Sequence, residues 1–214
     1  AYGIGDLLTI TVTWDEACVI SGSNPTLTLS NNDVAAYSSG DESTAFVFTT
    51  TVAAGDTDST DLQVSSYGGT LTDAHGGTCA AASGDLGSVT VDGDTPDIAS
   101  IAATDGAYGV GEALSITVTF DQAVDVTGSP TLTLSNGDTA TYASGTGNAA
   151  IVFSTTIAEG DTASTDLSVS SINSNGGTIE DAHDNTYDAT ISDGDLGAVT
   201  VDGAVPVFVG VSAT

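Results

Sequence analysis

Apolar and polar residues alternate along this chain with a period of two. Leu8, Ile10, Val12 and Trp14 are separated by Thr9, Thr11 and Thr13, and Ile151, Phe153 and Ile157 stand out from polar neighbours in the same way. A period of two puts the apolar set on one face of an extended strand, whereas a helix would repeat every 3.6 residues. Further short strands are predicted at 26–30, 34–38, 45–52, 62–65 and 89–92, with counterparts later in the chain. The Gly-, Asp- and Asn-rich segments between them read as turns. With no stretch of helical periodicity, the pattern predicts an all-β sandwich.

The pattern is also written twice. Ala1-Tyr2-Gly3-Ile4-Gly5 returns as Ala107-Tyr108-Gly109-Val110-Gly111, the strand from Leu8 to Trp14 returns from Leu114 to Phe120, and Pro25-Thr26-Leu27-Thr28-Leu29-Ser30 returns from Pro130 to Ser135. Asp73-Ala74-His75 matches Asp181-Ala182-His183, and Gly84-Asp85-Leu86-Gly87 matches Gly194-Asp195-Leu196-Gly197. The offset grows from 106 to 110 through small length changes near Asn24, Ile172 and Asp188, which should therefore be loops. A module of about 106 residues is close to the roughly 100 of an immunoglobulin-like sandwich.

The expected fold is thus all-β, with two tandem immunoglobulin-like β-sandwich domains. Residues 1–92 form the first repeat. Residues 93–203 form the second, entered through a short linker at 93–96 that Pro96 stiffens. Residues 97–104 precede the Ala-Tyr-Gly motif of the second repeat and read as its first strand, which the first repeat lacks. Residues 207–214 match 97–104, so the tail 204–214 reads as the first strand of a following repeat or as a donated strand, with Val207, Val209 and Val211 as its alternating positions. The chain is expected to be a processed or excised piece of a longer array; the sharper expectation is that its tail completes the open module of another copy.

The strings Tyr-Gly-Val-Gly-Glu, Ile-Thr-Val-Thr-Phe-Asp-Gln-Ala-Val, Val-Thr-Gly-Ser-Pro-Thr-Leu-Thr-Leu and Gly-Gly-Thr-Ile-Glu-Asp-Ala lie between Tyr108 and Ala182, and several of their landmarks occur in the same order in the first module. They resemble the tandem immunoglobulin-like repeats of very large extracellular surface proteins, found in bacterial adhesins and in algal surface or filament proteins. The resemblance implies a stalk, spacer or fibre shaft. Two departures from the adhesin pattern, the presence of cysteines and the absence of Lys and Arg, turn the reading toward a filament or sheath protein such as the shaft of an algal flagellar hair.

Charge narrows the function classes. The chain of 214 residues has 29 Asp plus Glu and no Lys or Arg, a formal charge of −29. Nothing is available to neutralise phosphates, so nucleic-acid binding has no electrostatic footing, and docking on anionic lipid fails for the same reason. Lysine nucleophiles, arginine fingers and guanidinium clamps are impossible. With 40% apolar residues the chain is nevertheless expected to fold. No apolar run is long enough to insert in a membrane as a helix.

Cys18 and Cys79 both lie in the first repeat, opposite Val124 and Tyr187 in the second. Joint presence and joint absence predict one disulfide, hence an extracellular or cell-surface location. Asp94, Asp97, Asp121, Asp181 and Asp184, with Asp15, Glu16 and Asp73 in the first repeat, fall in loops expected at one end of a module. Oxygen ligands converging without a basic counter-ion would suit Ca2+, which takes 6–8 of them. Turn-stabilising Asp is the plainer alternative.

His75 and His183 occupy one repeat position without a second His or Cys near them, and read as turn residues. The rows of Ser and Thr on the strands are candidates for O-linked sugar, and no permitted N-glycosylation sequon occurs. No carboxylate pair stands apart from the acidic background, so no enzyme is expected.

The reading is a structural repeat unit of a filament, stalk or surface fibre, partnered by neighbouring repeats or copies of itself. The second reading is an adhesin repeat that binds a carbohydrate or protein receptor, through loop aromatics such as Tyr67 and Tyr187.

Overall fold

A computed structural model describes residues 1–80, 83–188 and 190–212. Among these no helix occurs, and the strands pair antiparallel except for one short parallel pair in the second unit. The chain divides into two compact units, Ala1–Asp94 with His183–Asn185, and Thr95–Ala182 with Thr186–Thr214.

The first unit contains β1 (Leu7–Ile20), β2 (Thr26–Leu29), β3 (Val34–Ser39), β4 (Ser43–Thr51), β5 (Gln63–Gly68), β6 (Leu71–Thr72) and β7 (Gly84–Asp85). They form one sheet in the order β6, β1, β4, β3, β2, β5, β7. The sheet curls because β1 changes partner along its length. Its first half pairs with β4, with Ile10 opposite Phe48 and Val12 opposite Phe46; a register shift follows between Thr13 and Cys18, and Val19 and Ile20 then pair with β6. An interrupted register bends a strand and increases its twist, which lets one strand serve both faces of a sandwich. The enclosed core holds Leu8, Ile10, Leu27, Leu29, Phe46, Phe48, Leu62 and Leu71. Of the alternating set in β1, Leu8 and Ile10 are buried in that core, whereas Val12 and Trp14 are only half-buried against it.

The second unit contains β8 (Ile98–Ala103), β9 (Gly106–Gly109), β10 (Ala113–Val126), β11 (Thr131–Leu134), β12 (Thr139–Ser144), β13 (Asn148–Thr156), β14 (Val169–Asn173), β15 (Ile179–Glu180) and β16 (Val199–Asp202). The order β14, β11, β12, β13, β10, β15 repeats that of the first unit, and the shift in β10 falls at the same place, between Thr119 and Val124. Its core is built on Leu114, Ile116, Val118, Phe120, Leu132, Ile151 and Phe153.

Two pairings go beyond the periodicity. The Ala-Tyr-Gly motif forms β9, which runs parallel to β16; in the first unit the same arrangement shrinks to a single parallel bridge between Tyr2 and Val91. The predicted first strand of the second repeat is β8, antiparallel to β10 with Ile101 opposite Val118 and Ile98 opposite Phe120. In the first unit no described strand lies along that edge of β1 over residues 10–14.

Candidate functional site

Most loop carboxylates have a local role, and it is the same in both units. The Asp56 carboxylate accepts the Ala53 N–H at 2.7 Å, and Asp161 accepts that of Ala158 at 2.7 Å. Asp85 accepts the Gly87 N–H and Asp195 that of Gly197. Asn31 with Asp33, and Asn136 with Asp138, close equivalent turns. The Tyr37 hydroxyl accepts the Asp41 N–H at 2.9 Å and the Tyr142 hydroxyl that of Thr146 at 2.9 Å. Short polar side chains here satisfy backbone donors that a strand cannot reach.

Of the proposed cation ligands, Asp121, Asp181 and Asp73 accept hydrogen bonds through their carboxylates. In the second unit the Asp97 N–H donates to the Asp121 carboxylate at 3.0 Å, while the Asp121 N–H donates to the Asp97 carbonyl at 2.9 Å. Asp181 is buried and accepts from the Gln122 amide at 3.4 Å. Asp15 and Glu16 are exposed. Asp73 accepts the N–H groups of His75 and Gly77 at 2.7 and 2.8 Å. Those donors, Gly77 first and then His75, hold its carboxyl below the ordinary Asp range. Asp184 is exposed with φ 63°, and the Asp94 N–H donates to Asp92 at 3.0 Å.

A polar cluster in the first unit brings together Asp92 and Asn185, which the sequence does not single out, and His183, which it reads as a turn residue. Asp92 is buried at 8% exposure. His183 Nδ1 lies 3.0 Å from its carboxylate, and Nε2 lies 3.4 Å from the Thr90 hydroxyl. Asn185 is buried beside them: its amide donates to the carbonyls of Asp92 at 3.3 Å and Asp94 at 2.8 Å, and its Oδ1 accepts the Ile4 N–H at 2.6 Å. Gly3 is needed here because a Cβ at that position would collide with the His183 carbonyl. Beside the cluster is an open depression of about 210 Å3, bordered by Asp58, Ser59, Thr60, Thr90, Val91, Asp92 and His183.

Hydroxyl, imidazole and carboxylate follow one another in the order that activates a hydroxyl nucleophile. The hydroxyl contact is long, however, and the imidazole's shorter contact is to the carboxylate, so the geometry serves above all to fasten the segment His183–Asn185. His183 is therefore more than a turn residue, whereas its repeat counterpart His75 is exposed. The sequence signal for Asn185 is faint: it replaces Gly77 of the first repeat, a polar side chain where the other copy has none.

The cysteines pair as predicted, Cys18 with Cys79 across 61 positions. In the second unit Val124 and Tyr187 are buried in their place, the Tyr187 ring packing edge-on against Phe120 at 5.4 Å.

Tyr67 and Tyr187 do not present loop surfaces to a ligand. Tyr67 is in β5, edge-on to Trp14 at 6.4 Å and Phe48 at 6.3 Å. The hydroxyls of both tyrosines are buried without a hydrogen-bond partner among the described residues. Burial raises the Tyr187 pKa, with the Asp97 and Asp188 charges adding to the shift, and burial pushes that of Tyr67 up to about 12.

For Tyr67 the folded state resists ionisation while the unfolded chain titrates near 10. Its contribution is therefore intact below pH 10 and is lost as the pH rises toward 12. Alkaline unfolding followed by phenolate absorbance should lose part of its pH dependence in Tyr67→Phe; an identical profile would mean that the hydroxyl is solvated.

Val207, Val209 and Val211 are 78%, 95% and 91% exposed, and residues 204–212 join no strand. The last two positions of the predicted tail strand, 213 and 214, lie outside the described residues. No helix among the described residues is long and apolar enough to cross a membrane. Compared with known proteins, the chain matches no family model and no curated sequence.

Proposed function

We propose that this chain is a non-catalytic structural module of an extracellular filament, stalk or surface fibre, made of two immunoglobulin-like sandwiches in tandem and serving as a spacer and assembly unit. The observation that carries the reading is the repetition of the polar turn anchors. Carboxylates and tyrosines tie down the same turns in both copies. The disulfide fits an oxidising compartment, and mutual repulsion of 29 acidic groups keeps the surface hydrated.

Single-molecule stretching tests this directly. Two discrete unfolding events are expected, and the first unit should release a contour shorter by the 61-residue span its disulfide closes, about 20 nm at about 3.5 Å per residue. Reduction should restore that length. Extension without a force peak would remove the load-bearing role.

Calcium is the second part of the proposal, with Asp97 and Asp121 as ligands within the second unit. Repeating the record in calcium and then in chelator should raise and then lower that unit's unfolding force. An unchanged force would leave the carboxylates with their turn-stabilising role alone.

A further inference from the structure

Acidic groups crowd the turns of this chain, but the outward face of its main sheet carries none. In the second unit Ser115, Ser154, Thr141, Thr131 and Asn173 stand side by side across five adjacent strands, and each is exposed or half-buried. Their neighbours along the strands, Leu114, Phe153, Ala140 and Leu132, point the other way and are buried. The strand β8 widens this face, with Ala102 beside Thr117 and Ser100 beside Thr119. None of the 29 carboxylates of the chain falls at residues 98–103, 113–119, 131–134, 139–144, 148–156 or 169–173.

The first unit repeats the arrangement. Thr9, Thr49, Ala36 and Thr26 form the matching row, again exposed or half-buried, and residues 7–13, 26–29, 34–39, 43–51 and 63–68 include no acidic residue. The chemistry of these faces differs in kind from that of the turns. A carboxylate only accepts hydrogen bonds, whereas a hydroxyl both donates and accepts. Two copies meeting through their turns would bring like charges together, with no Lys or Arg to pair them. Two copies meeting through the hydroxyl faces bring donors to acceptors without any charge. Such a face complements itself, as an interface between identical partners requires.

We propose that this uncharged hydroxyl face is a lateral interface between copies of the chain, one sheet face packed on another. The inference rests on the structural-module reading and names the partner of that module as a second copy of itself. The size of the face sets its strength. Seven residues of β10, from Ala113 to Thr119, and the five strands from β14 to β10, at about 3.4 Å per residue and about 4.8 Å between strands, give a face of roughly 550 Å2. A pair of such faces buries about 1,100 Å2, the low end for a stable interface, so one pair holds weakly and reversibly.

The layout of the face fits the role. Val152 is half-buried on it between Thr117 and Ser144, and its counterpart Val47 lies between Thr11 and Ser39. An apolar centre with a polar surround is the usual anatomy of a contact between proteins. Thr and Val are branched at Cβ and stiff at χ1, so they lose little side-chain freedom when a partner covers them.

Sedimentation equilibrium on the 214-residue chain across a concentration series tests the proposal. The mean mass should rise above the 21.0 kDa of one chain. It should rise further as NaCl goes from about 0.1 M to about 1 M, which shortens the screening length from about 10 Å to about 3 Å and so weakens repulsion between the acidic surfaces. Thr49→Asp with Thr141→Asp places one charge on each face and should leave a monomer at every concentration. Thr49→Asn with Thr141→Asn, close to Asp in shape but uncharged, should still associate, and circular dichroism should show the same strand content in all three proteins. A wild-type monomer at every concentration and salt would overturn the proposal, as would association that the Asp substitutions leave unchanged. Equal loss in the Asn variant would also overturn it, since a contact defined by the absence of charge should tolerate an uncharged side chain. Stretching is recorded on single molecules, so failure of the lateral contact and failure of the load-bearing role are separable.

Discussion

Reduction and alkylation of Cys18 and Cys79 should lower the unfolding temperature of the first unit by about 20 °C and leave the second unit where it is. The bond closes 61 residues, for which chain entropy in the unfolded state predicts a contribution of about 4 kcal/mol. In a unit of this size each kcal/mol moves the midpoint by roughly 4–8 °C. The second unit is the internal control: at the same repeat positions it has Val124 and Tyr187, whose burial against Phe120 and the surrounding core needs no covalent bond. Calorimetry should show two transitions, of which one moves. A shift of both, or of neither, would mean that the crosslink acts by something other than shortening the unfolded loop of the first unit.

Gly145→Ala is expected to cost the second unit about 3 kcal/mol, the upper end of the range for a strained backbone position, and about 15 °C in its melting temperature. Gly145 has φ 116°, which L side chains rarely adopt, and an added Cβ would sit 2.5 Å from the Ala150 carbonyl oxygen and 2.7 Å from the Ile151 Cα. Those neighbours are backbone of β13 and cannot swing aside, because Ile151 is paired with Val118 of β10. Gly40 has the same φ of 116° in the first unit and faces the equivalent atoms of Ala45 and Phe46. Gly147→Ala separates the two contributions. Its φ is also positive, at 78°, but its Cβ would meet only Asp125 Oδ1 at 3.9 Å, so it should cost about 1 kcal/mol. Equal losses for the two substitutions would show that dihedral strain alone, without the collision, accounts for the requirement.

Legibility in the sequence varied with how local the information was. Strand positions, the duplication and the pairing of the cysteines could all be read, since alternation and repeat spacing are properties of neighbouring residues. The strand at 62–65 was displaced by a few residues, to Gln63–Gly68, and 89–92 became a true strand only in its second copy. Tyr67 was misplaced for a related reason. It follows Ser65 and Ser66 in a polar stretch, yet in β5 it faces Trp14 and Phe48, which only the fold brings near. The carboxylates were the hardest to read: with 29 acidic groups in the chain, composition cannot mark Asp92 and Asp181 as buried while Asp15 and Glu16 are exposed.

The sequence by itself determined that this is an all-β chain of two similar modules, closed in the first by one disulfide. Those properties follow from side-chain period and spacing, neither of which needs a partner in space. Tertiary structure alone decided that β9 runs parallel to β16 and that His183 and Asn185 fasten onto Asp92. Each of these is a hydrogen-bond choice among distant backbone and polar groups, many of them chemically alike, and only the packing of the apolar faces selects which of them meet.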